Sequence, residues 1–239
     1  MNGNDNIVGI ILSRMTSSRL PGKALVDICG KPNLQYMIER IRRARRLSAV
    51  CVATTTNSID DSIETLCVEL GTPVFRGSED NVLDRITRAA EYFNSNVIVR
   101  LTADCPMIDP VLIDDAIGVF CEGRYDYVAN GNVRSFPDGM DVEVIAYEAL
   151  ARANKETTHP FLREHVTPYI RGSHPQYGKG DFVTRDIIFE ADFSNVRWTL
   201  DTPEDLTIIR ELCDSLPEGY TWLQALAKAI KDPVLLNLK

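Results

Sequence analysis

Short, uninterrupted apolar runs alternate with amphipathic stretches along the first hundred residues of the chain. Ile7–Leu12 is the first such run, and apolar side chains then recur at helical spacing from Leu34 to Ile41. A continuous apolar run indicates a strand buried on both faces, and an intervening helix allows two such strands to pair in parallel. Because this alternation continues to Leu101, we expect an α/β fold in which helices cover both faces of a mostly parallel sheet.

The element boundaries follow from the same periodicity and from turn-forming residues. The predicted strands are short apolar or alternating segments at 7–12, 49–53, 73–75, 96–101, 127–129, 141–146, 182–189 and 196–200. The predicted helices carry apolar residues on one face, at 34–41, 59–70, 82–93, 110–120, 161–170, 206–212 and 222–230. The length fits one large domain over residues 1–239, or one domain with a small appendage, and the segment 130–190 is the least regular part of the chain.

Charge and cysteine usage argue against several classes of protein. The formal net charge of −8 disfavours general nucleic-acid binding, although residues 1–46 carry nine basic against three acidic side chains. The six cysteines form no Cys-x-x-Cys pair, which argues against a zinc ribbon or a redox motif. No apolar run approaches the roughly 18 residues of a membrane span, and no basic region of a signal peptide opens the chain. We therefore expect a cytoplasmic protein with a localised anion site, although Arg42, Arg43, Arg45 and Arg46 are also explained as a solvated helix end.

A basic loop, residues 13–23, follows the first predicted strand. It contains Arg14, Arg19 and Lys23 together with small hydroxyl residues and Gly22. Ligands of open α/β sheets bind beyond the carboxyl ends of the strands, which is where this loop lies. Arginine binds phosphate through two parallel hydrogen bonds and lysine acts as a compact charge, a combination suited to a triphosphate. The loop is neither a Walker A sequence nor a Gly-x-Gly-x-x-Gly motif, and its spacing alone leaves a solvated basic loop equally open.

Two aspartates each follow a predicted strand, Asp104 after 96–101 and Asp201 after 196–200. Mg²⁺ takes one or two protein carboxylates and completes its octahedron with water and substrate phosphates. Either aspartate alone is also an ordinary turn residue, and only the fold can bring the two together. Directly after Asp201, Thr202 is the expected N-cap of a helix and Pro203 its first residue. Together with the basic loop, the pair predicts a magnesium site.

A Pro-Asp-Gly turn precedes the predicted strand 141–146, which would place Asp141 and Glu143 on one face. These carboxylates are candidates for binding polyol hydroxyls or a second metal ion, although the turn also has a plain structural interpretation. The histidines His159, His165 and His174 lack the spacing of a zinc pair, so no histidine-based metal site is expected. His165, on a predicted helix, is either an anion contact or an ordinary packed residue.

Five segments of the chain carry a resemblance to a known family. They are residues 14–23, 27–32, 101–110, 136–141 and 198–206. Through them the chain resembles the cytidylyltransferases that activate acidic sugars, the acylneuraminate and 3-deoxy-manno-octulosonate enzymes, and most of all the spore-coat polysaccharide protein F group. The resemblance implies a three-layer nucleotide-diphosphosugar transferase fold in which the insertion 130–190 binds the acceptor or forms a homodimer.

The resemblance also implies roles for individual residues. The nucleotide-binding residues would lie in the basic loop and at the ends of two strands: Leu12, Ser13, Arg14, Arg19, Lys23, Arg100 and Thr102. Arg14, Lys23 and Asp104 would be catalytic, and Asp104 and Asp201 would hold Mg²⁺. The acceptor contacts would come from the middle of the chain: Asn130, Asp141, Glu143 and His165.

The implied reaction is in-line attack of an anionic, sugar-type acceptor on the α-phosphorus of CTP, with release of pyrophosphate. No nucleic-acid or membrane partner is expected. Two other classes stay open. A metal-dependent glycosyltransferase would share the sheet but would carry Asp-x-Asp where this chain has Thr102-Ala103-Asp104. A non-catalytic nucleotide-binding protein would bind the nucleotide and release no pyrophosphate.

Overall fold

The computed structural model describes residues 6–173, 176 and 180–238. The strands are all short. They are β1 (Ile7–Leu12), β2 (Asp27–Ile28), β3 (Lys31–Pro32), β4 (Ala49–Thr55), β5 (Val74–Gly77), β6 (Val97–Thr102), β7 (Tyr127–Ala129), β8 (Glu143–Ala146) and β9 (Thr184–Asp186). The α-helices are α1 (Asn33–Ile41), α2 (Asp61–Glu69), α3 (Val82–Tyr92), α4 (Pro110–Glu122), α5 (Tyr147–Glu156), α6 (Pro160–His165), α7 (Pro168–Arg171), α8 (Pro203–Ser215) and α9 (Trp222–Lys231). Short 3₁₀ turns precede α2 at Ser58–Asp60 and follow α9 at Pro233–Leu236.

Seven strands form one sheet in the order β5-β4-β1-β6-β8-β7-β9, and β2 and β3 form a separate hairpin. β8 runs antiparallel to its neighbours β6 and β7, and the remaining pairs in the sheet are parallel. Six strands therefore end at the same edge of the sheet. The loops that leave this edge contain the basic loop, Asp104 and the segment between β7 and β8, so the topology gathers them in one region.

Side chains of the sheet alternate between two apolar cores. On β1, Ile11 belongs to the core beneath α1, α2, α4, α8 and α9, whereas Ile10 belongs to the core beneath α3, α5 and α7. Burying one such side chain stabilises the fold by about 1.5–3 kcal/mol. The predicted three-layer α/β architecture with a mostly parallel sheet is confirmed. Among the described helices, none is long and apolar enough to cross a membrane.

The strand predicted at 196–200 is wrong. This segment makes a single isolated bridge, between Arg197 and Asp138, and is otherwise irregular. Its alternation nevertheless reflects real burial, because Val196, Trp198 and Leu200 all point into the core. Asp201 therefore leaves a buried irregular segment rather than a strand of the sheet.

Other predictions in the second half of the chain need correction. The helix predicted at 161–170 is two short helices, because the chain leaves helical geometry at Val166, where φ is +70°, and Pro168 has no N–H with which to continue the first helix. The sequence pattern missed α5 altogether. β8 begins at Glu143 rather than at 141, and the strand predicted at 182–189 is reduced to β9. Asp141 consequently precedes the strand and does not share a face of it with Glu143.

Candidate active site

The basic loop starts from the carboxyl end of β1, in the middle of the parallel part of the sheet. The Ala103 N–H donates to Leu12 O at 3.0 Å, which holds the end of β6 beside the start of the loop. Buried Asn33, the first residue of α1, donates its amide to Lys23 O at 3.0 Å and to Ala103 O at 2.8 Å. The backbone at Lys23 is thereby fixed beside the strand end that carries Asp104.

The loop folds back on itself before it reaches α1. The Gly22 N–H donates to Met15 O at 3.0 Å, and the Lys23 N–H donates to Leu20 O at 3.2 Å. Gly22 adopts φ +72°, a left-handed conformation that glycine tolerates without a steric penalty. This turn directs Lys23 inward, so that its side chain is largely buried whereas Arg14 and Arg19 remain more exposed.

Lys23 joins the two predicted metal ligands. Its Nζ lies 3.0 Å from Asp201 Oδ1 and 3.8 Å from Asp104 Oδ2. The two aspartates are separated by 96 intervening residues in the chain, yet one ammonium group contacts both. A backbone hydrogen bond of 2.7 Å from Leu200 N–H to Asp104 O connects their segments directly. The fold thus brings Asp104 and Asp201 together, as the sequence predicted.

Asp201 is surrounded by cations. Its Oδ2 lies 3.0 Å from Arg19 Nη2 and 3.0 Å from Arg197 Nη2, while its Oδ1 accepts from Lys23. Arg197 also pairs with Asp205, which accepts the backbone N–H groups of Asp201 and Thr202. Burial raises the pKa of Asp205, but these hydrogen bonds outweigh it and hold the pKa below its usual value.

The start of α8 confirms one sequence prediction in detail. Thr202 is the N-cap, Pro203 is the first helical residue, and Thr202 and Asp205 form a reciprocal capping box. This cap fixes the backbone directly after Asp201.

Asp104 differs from Asp201, because its side chain is about one-third exposed and its closest cation is Lys23 at 3.8 Å. Asp104 is therefore the more available carboxylate of the pair.

The other side of the basic loop is anchored by acidic residues that the sequence analysis did not identify. The Met15 N–H donates to Oδ1 of the fully buried Asp60 at 2.7 Å, and Thr55 donates to the other oxygen of Asp60. Arg14 Nη1 lies 3.5 Å from Glu79 Oε1, which also accepts from Thr16 at 2.7 Å. The hydrogen bond from Thr16 is the main reason that the pKa of Glu79 is lowered.

Arg85 organises the loop that carries Glu79. The side chain is buried and donates from Nη1 to Ser78 O and Glu79 O, whereas its Nε has no hydrogen-bond partner within the described part of the chain. Burial and the nearby charge of Arg14 lower the pKa of Arg85 to about 10. No motif singled out these positions, because the link between residues 60, 79 and 85 and the basic loop exists only in the folded chain.

Arg100 and Glu143 form a buried ion pair across β6 and β8. Glu143 Oε2 pairs with Arg100, and Oε1 accepts from Tyr127 at 2.6 Å and from Thr167 at 2.8 Å. Burial raises the pKa of Glu143, but Arg100 and the two hydroxyl groups lower it below its usual value. Both carboxylate oxygens of Glu143 thus have partners inside the protein, and its contact with an acceptor stays a prediction. Arg100 retains an Nε without a hydrogen-bond partner among the described residues.

The turn between β7 and β8 lies beside Asp104. Asn130 is buried and clamps this turn, donating to Met140 O at 2.7 Å and accepting from Val142 N–H at 2.8 Å. The predicted contact of Asn130 with an acceptor stays a prediction, because the described part of the chain shows only these internal partners of its side chain. Gly139 has φ +104°, and a Cβ at this position would lie 2.7 Å from Trp198 O. The Pro-Asp-Gly turn thus packs directly on the segment that leads to Asp201.

Asp141 keeps a position compatible with its predicted role. It lies 3.7 Å from Arg134, which also pairs with Asp138 at 2.9 Å. Burial, opposed in part by Arg134, raises the pKa of Asp141 to about 6. The buried thiol of Cys105 lies near enough to Asp104 and Asp141 for both charges to raise its pKa, after the larger effect of burial. Asp141 is therefore in electrostatic range of the strand end that carries Asp104.

The remaining predicted residues occupy different surroundings. Leu12 is a buried member of the core beneath α3, and the Ser13 N–H donates to Ala53 O at 3.3 Å. Thr102 contacts Cys105 Sγ through its hydroxyl at 3.6 Å. His165 is exposed at the end of α6, where its ring is tilted by 51° against that of Phe161 with the ring centroids 4.4 Å apart. No link between His165 and the aspartates is seen in the described chain. His174 lies outside the described residues.

Comparison with known proteins places this architecture in a family. The family model described as cytidylyltransferase matches residues 8–231. The spore coat polysaccharide biosynthesis protein SpsF of Bacillus subtilis is 35% identical over 87% of this chain and 86% of its own length. A 3-deoxy-manno-octulosonate cytidylyltransferase of Geobacter sulfurreducens is 41% identical over 49% of this chain and 46% of its own length.

A solved structure agrees with the sequence relatives over the full length. The structure of a cytidylyltransferase from Leptospira borgpetersenii superposes with a TM-score of 0.91 at 30% identity, and 99% of each chain is covered. The match includes the basic loop, both aspartates and the segment between them. A protein with this fold, this site and these relatives belongs to the cytidylyltransferase family.

Proposed function

We propose that the protein transfers CMP from CTP to an anionic, sugar-type acceptor and releases pyrophosphate. The observation that carries this proposal is the contact of Lys23, at the end of the basic loop, with both Asp104 and Asp201. It gathers cations for a triphosphate and carboxylates for a metal at one edge of the sheet. The relatives named as cytidylyltransferase and as a polysaccharide biosynthesis protein support CTP as the donor and a sugar-type acceptor.

The donor set fits Mg²⁺. Within the described residues no group of three or more His, Cys, Asp or Glu side chains is placed to hold a metal ion. Two carboxylates are nevertheless enough for Mg²⁺, which takes its remaining ligands from water and phosphates. Asp104 and Asp201 already share one cation, the ammonium of Lys23, so the pair accommodates positive charge between its members. Bound there, Mg²⁺ would neutralise charge on the phosphate oxygens.

The protein side chains bind and position the triphosphate. Arg14, Arg19 and Lys23 provide three positive charges along the loop, with Arg14 and Arg19 exposed enough to reach a ligand. A bond forms between the acceptor oxygen and the α-phosphorus, and the bond from that phosphorus to the bridging oxygen breaks. Pyrophosphate leaves with the electron pair, and a hydroxyl acceptor loses its proton to water. Lys23 offsets the negative charge that develops on the leaving group.

Asp141 is our candidate for contacting the acceptor. Its pKa is raised by burial and by its acidic neighbours, and its charge acts on the same Cys105 thiol as the charge of Asp104. A carboxylate there can accept hydrogen bonds from sugar hydroxyl groups. We also propose that residues 130–190 form the acceptor-binding and dimerisation segment of a single domain over 1–239. His165 in this segment, and location of the protein in the cytoplasm, stay predictions.

Thermal stabilisation tests the donor. The protein is unfolded with CTP, GTP, UTP or ATP, each with Mg²⁺ and with a chelator. A ligand at 100 times its Kd adds about 2.7 kcal/mol to the free energy of unfolding, so binding is readily visible. We expect the largest increase with CTP and Mg²⁺ and a smaller one with chelator. A larger increase with another triphosphate would reject CTP as the donor. The measurement is repeated with Asp104→Asn, for which Asp181→Asn, at an exposed position, serves as the control.

A further inference from the structure

Lys23 occupies the position of a cation between two carboxylates. Its side chain is only 18% exposed, and its Nζ contacts one oxygen of each aspartate. Both oxygens of Asp201 are engaged, Oδ1 by Lys23 and Oδ2 by Arg19 and Arg197. A divalent ion that binds to Asp201 therefore competes with these cations for the same carboxylate.

The charges of this network are balanced. Lys23, Arg19 and Arg197 face an equal number of carboxylates, those of Asp104, Asp201 and Asp205. Adding a divalent ion alone would leave two uncompensated positive charges in a partly buried site, where they are poorly screened. Adding a triphosphate together with the ion supplies negative charge and gives the displaced side chain a new partner.

The backbone at Lys23 is fixed by hydrogen bonds, whereas its ammonium is held, among the described residues, only by the two carboxylates. Asn33 holds Lys23 O, and the Lys23 N–H donates to Leu20 O. The side chain has a flexible four-carbon stem and a compact ammonium group that can donate three hydrogen bonds. A rotation of the stem is therefore enough to move the charge from the carboxylates to a neighbouring phosphate.

We propose that Lys23 is an internal placeholder for the metal, a role that rests on the proposed function and makes it more specific. In the free protein its ammonium holds the position between Asp104 and Asp201, and on binding of the metal–triphosphate complex it moves to the phosphates. The divalent ion consequently binds weakly to the free protein and tightly only together with the triphosphate. By linkage, the metal increases the affinity for the triphosphate by the same factor.

The experiment measures Mn²⁺ binding without nucleotide, from the electron paramagnetic resonance signal of free Mn²⁺. The wild type is compared with Lys23→Met, and with Lys31→Met as a control, since Lys31 pairs with Glu39 on the hairpin outside the network. Removal of one positive charge at contact distance should tighten Mn²⁺ binding by about tenfold or more in Lys23→Met. Lys31→Met should match the wild type. The double variant Lys23→Met/Asp201→Asn should lose the gain, which would assign it to this site.

The titration is repeated with CTP present. CTP should tighten Mn²⁺ binding strongly in the wild type and much less in Lys23→Met. Equal Mn²⁺ affinity of the wild type and Lys23→Met without nucleotide would overturn the placeholder role. Lys23→Gln is titrated in parallel with Lys23→Met, and thermal unfolding shows which of the two is folded. The Mn²⁺ affinity of a folded variant then decides the result.

Failure of the proposed function gives a different result. Pyrophosphate release by the wild type from CTP and an acceptor tests the reaction, whereas Mn²⁺ binding to the free protein needs neither. Release of pyrophosphate by the wild type, without a gain of Mn²⁺ affinity in Lys23→Met, would reject the placeholder role of Lys23 and leave the proposed reaction standing. A gain of Mn²⁺ affinity in a protein that releases no pyrophosphate with any acceptor would support the metal position and reject the reaction.

Discussion

Lys23 Nζ lies 3.0 Å from Asp201 Oδ1, which places a residue of the loop after β1 against one from the segment before α8. The same ammonium lies 3.8 Å from Asp104 Oδ2, at the end of β6. Three segments that are distant in the chain are therefore joined by the ammonium group of Lys23.

Asp104→Asn should reduce turnover by roughly 10²-fold or more, because it removes one charged ligand from the phosphate site and leaves the shape of the side chain. The free energy of unfolding should change little, since Asp104 is partly exposed. Steady-state kinetics with CTP and thermal unfolding measure the two effects. Asp181→Asn should behave as the wild type, and near-normal turnover of folded Asp104→Asn would remove the metal assignment.

Asp60→Ala should weaken CTP binding through the basic loop. The substitution leaves the Met15 N–H without its buried acceptor, which costs about 1–3 kcal/mol of stability. Because the loop then loses its anchor, we expect a higher KM for CTP with a smaller change in kcat. Asp60→Asn keeps an oxygen acceptor and should recover most of the KM. A raised KM of equal size in both variants would show that the Met15 contact does not position the loop.

Gly139→Ala should destabilise the protein more than Gly30→Ala. Both glycines have positive φ, and alanine pays a backbone penalty of about 1 kcal/mol in such conformations. A Cβ at Gly139 also meets Trp198 O at 2.7 Å, whereas a Cβ at Gly30 meets no atom within 4 Å among those described. Denaturant unfolding of the two variants isolates the effect of this contact. Equal losses of stability would argue against the tight packing of the turn on the segment before Asp201.

Glu143→Gln should lower stability in a manner that depends on pH. The pKa of Glu143 is depressed in the folded protein, so its charge contributes stability above the ordinary value of 4.5, and this contribution is lost as the pH falls through the depressed value. At pH 7 the variant leaves Arg100 buried without its ionic partner, which costs about 3–5 kcal/mol.

The difference between wild type and Glu143→Gln should therefore shrink as the pH falls below 4.5. Urea unfolding at pH 7 and at several acidic values measures it. Glu164→Gln, at an exposed position on α6, should match the wild type at each pH. A constant difference across this range would contradict a charged Glu143 in the folded protein.

The sequence predicted several strands of the sheet well because their residues are mostly apolar, as in the continuous apolar run of β1. β1 and β7 were predicted with the observed bounds, and β6 within one residue at each end. The segment 196–200 was wrong as a strand because alternation reports burial, and Trp198 is buried without a partner strand along its length. Local periodicity does not distinguish these two causes of burial.

The site was predicted where its residues lie in motifs and missed where they do not. Lys23, Asp104 and Asp201 belong to segments that the family resemblance covered. Asp60 and Glu79 act on the basic loop through contacts across the edge of the sheet, which no spacing reveals. Glu143 was assigned to the acceptor from the alternation that follows the Pro-Asp-Gly turn. Its ion pair with Arg100 could not be predicted, because the pairing depends on the antiparallel register of β6 and β8.

The most direct test of the account is ³¹P NMR of the wild-type protein with CTP, Mg²⁺ and a panel of acidic sugars, sugar phosphates and phosphonates. We predict that pyrophosphate and a CMP-linked product appear together with at least one acceptor, and that neither appears with Asp104→Asn. Unchanged CTP with every acceptor, or conversion that proceeds equally well with Asp104→Asn, would contradict a cytidylyltransferase site built on Lys23, Asp104 and Asp201.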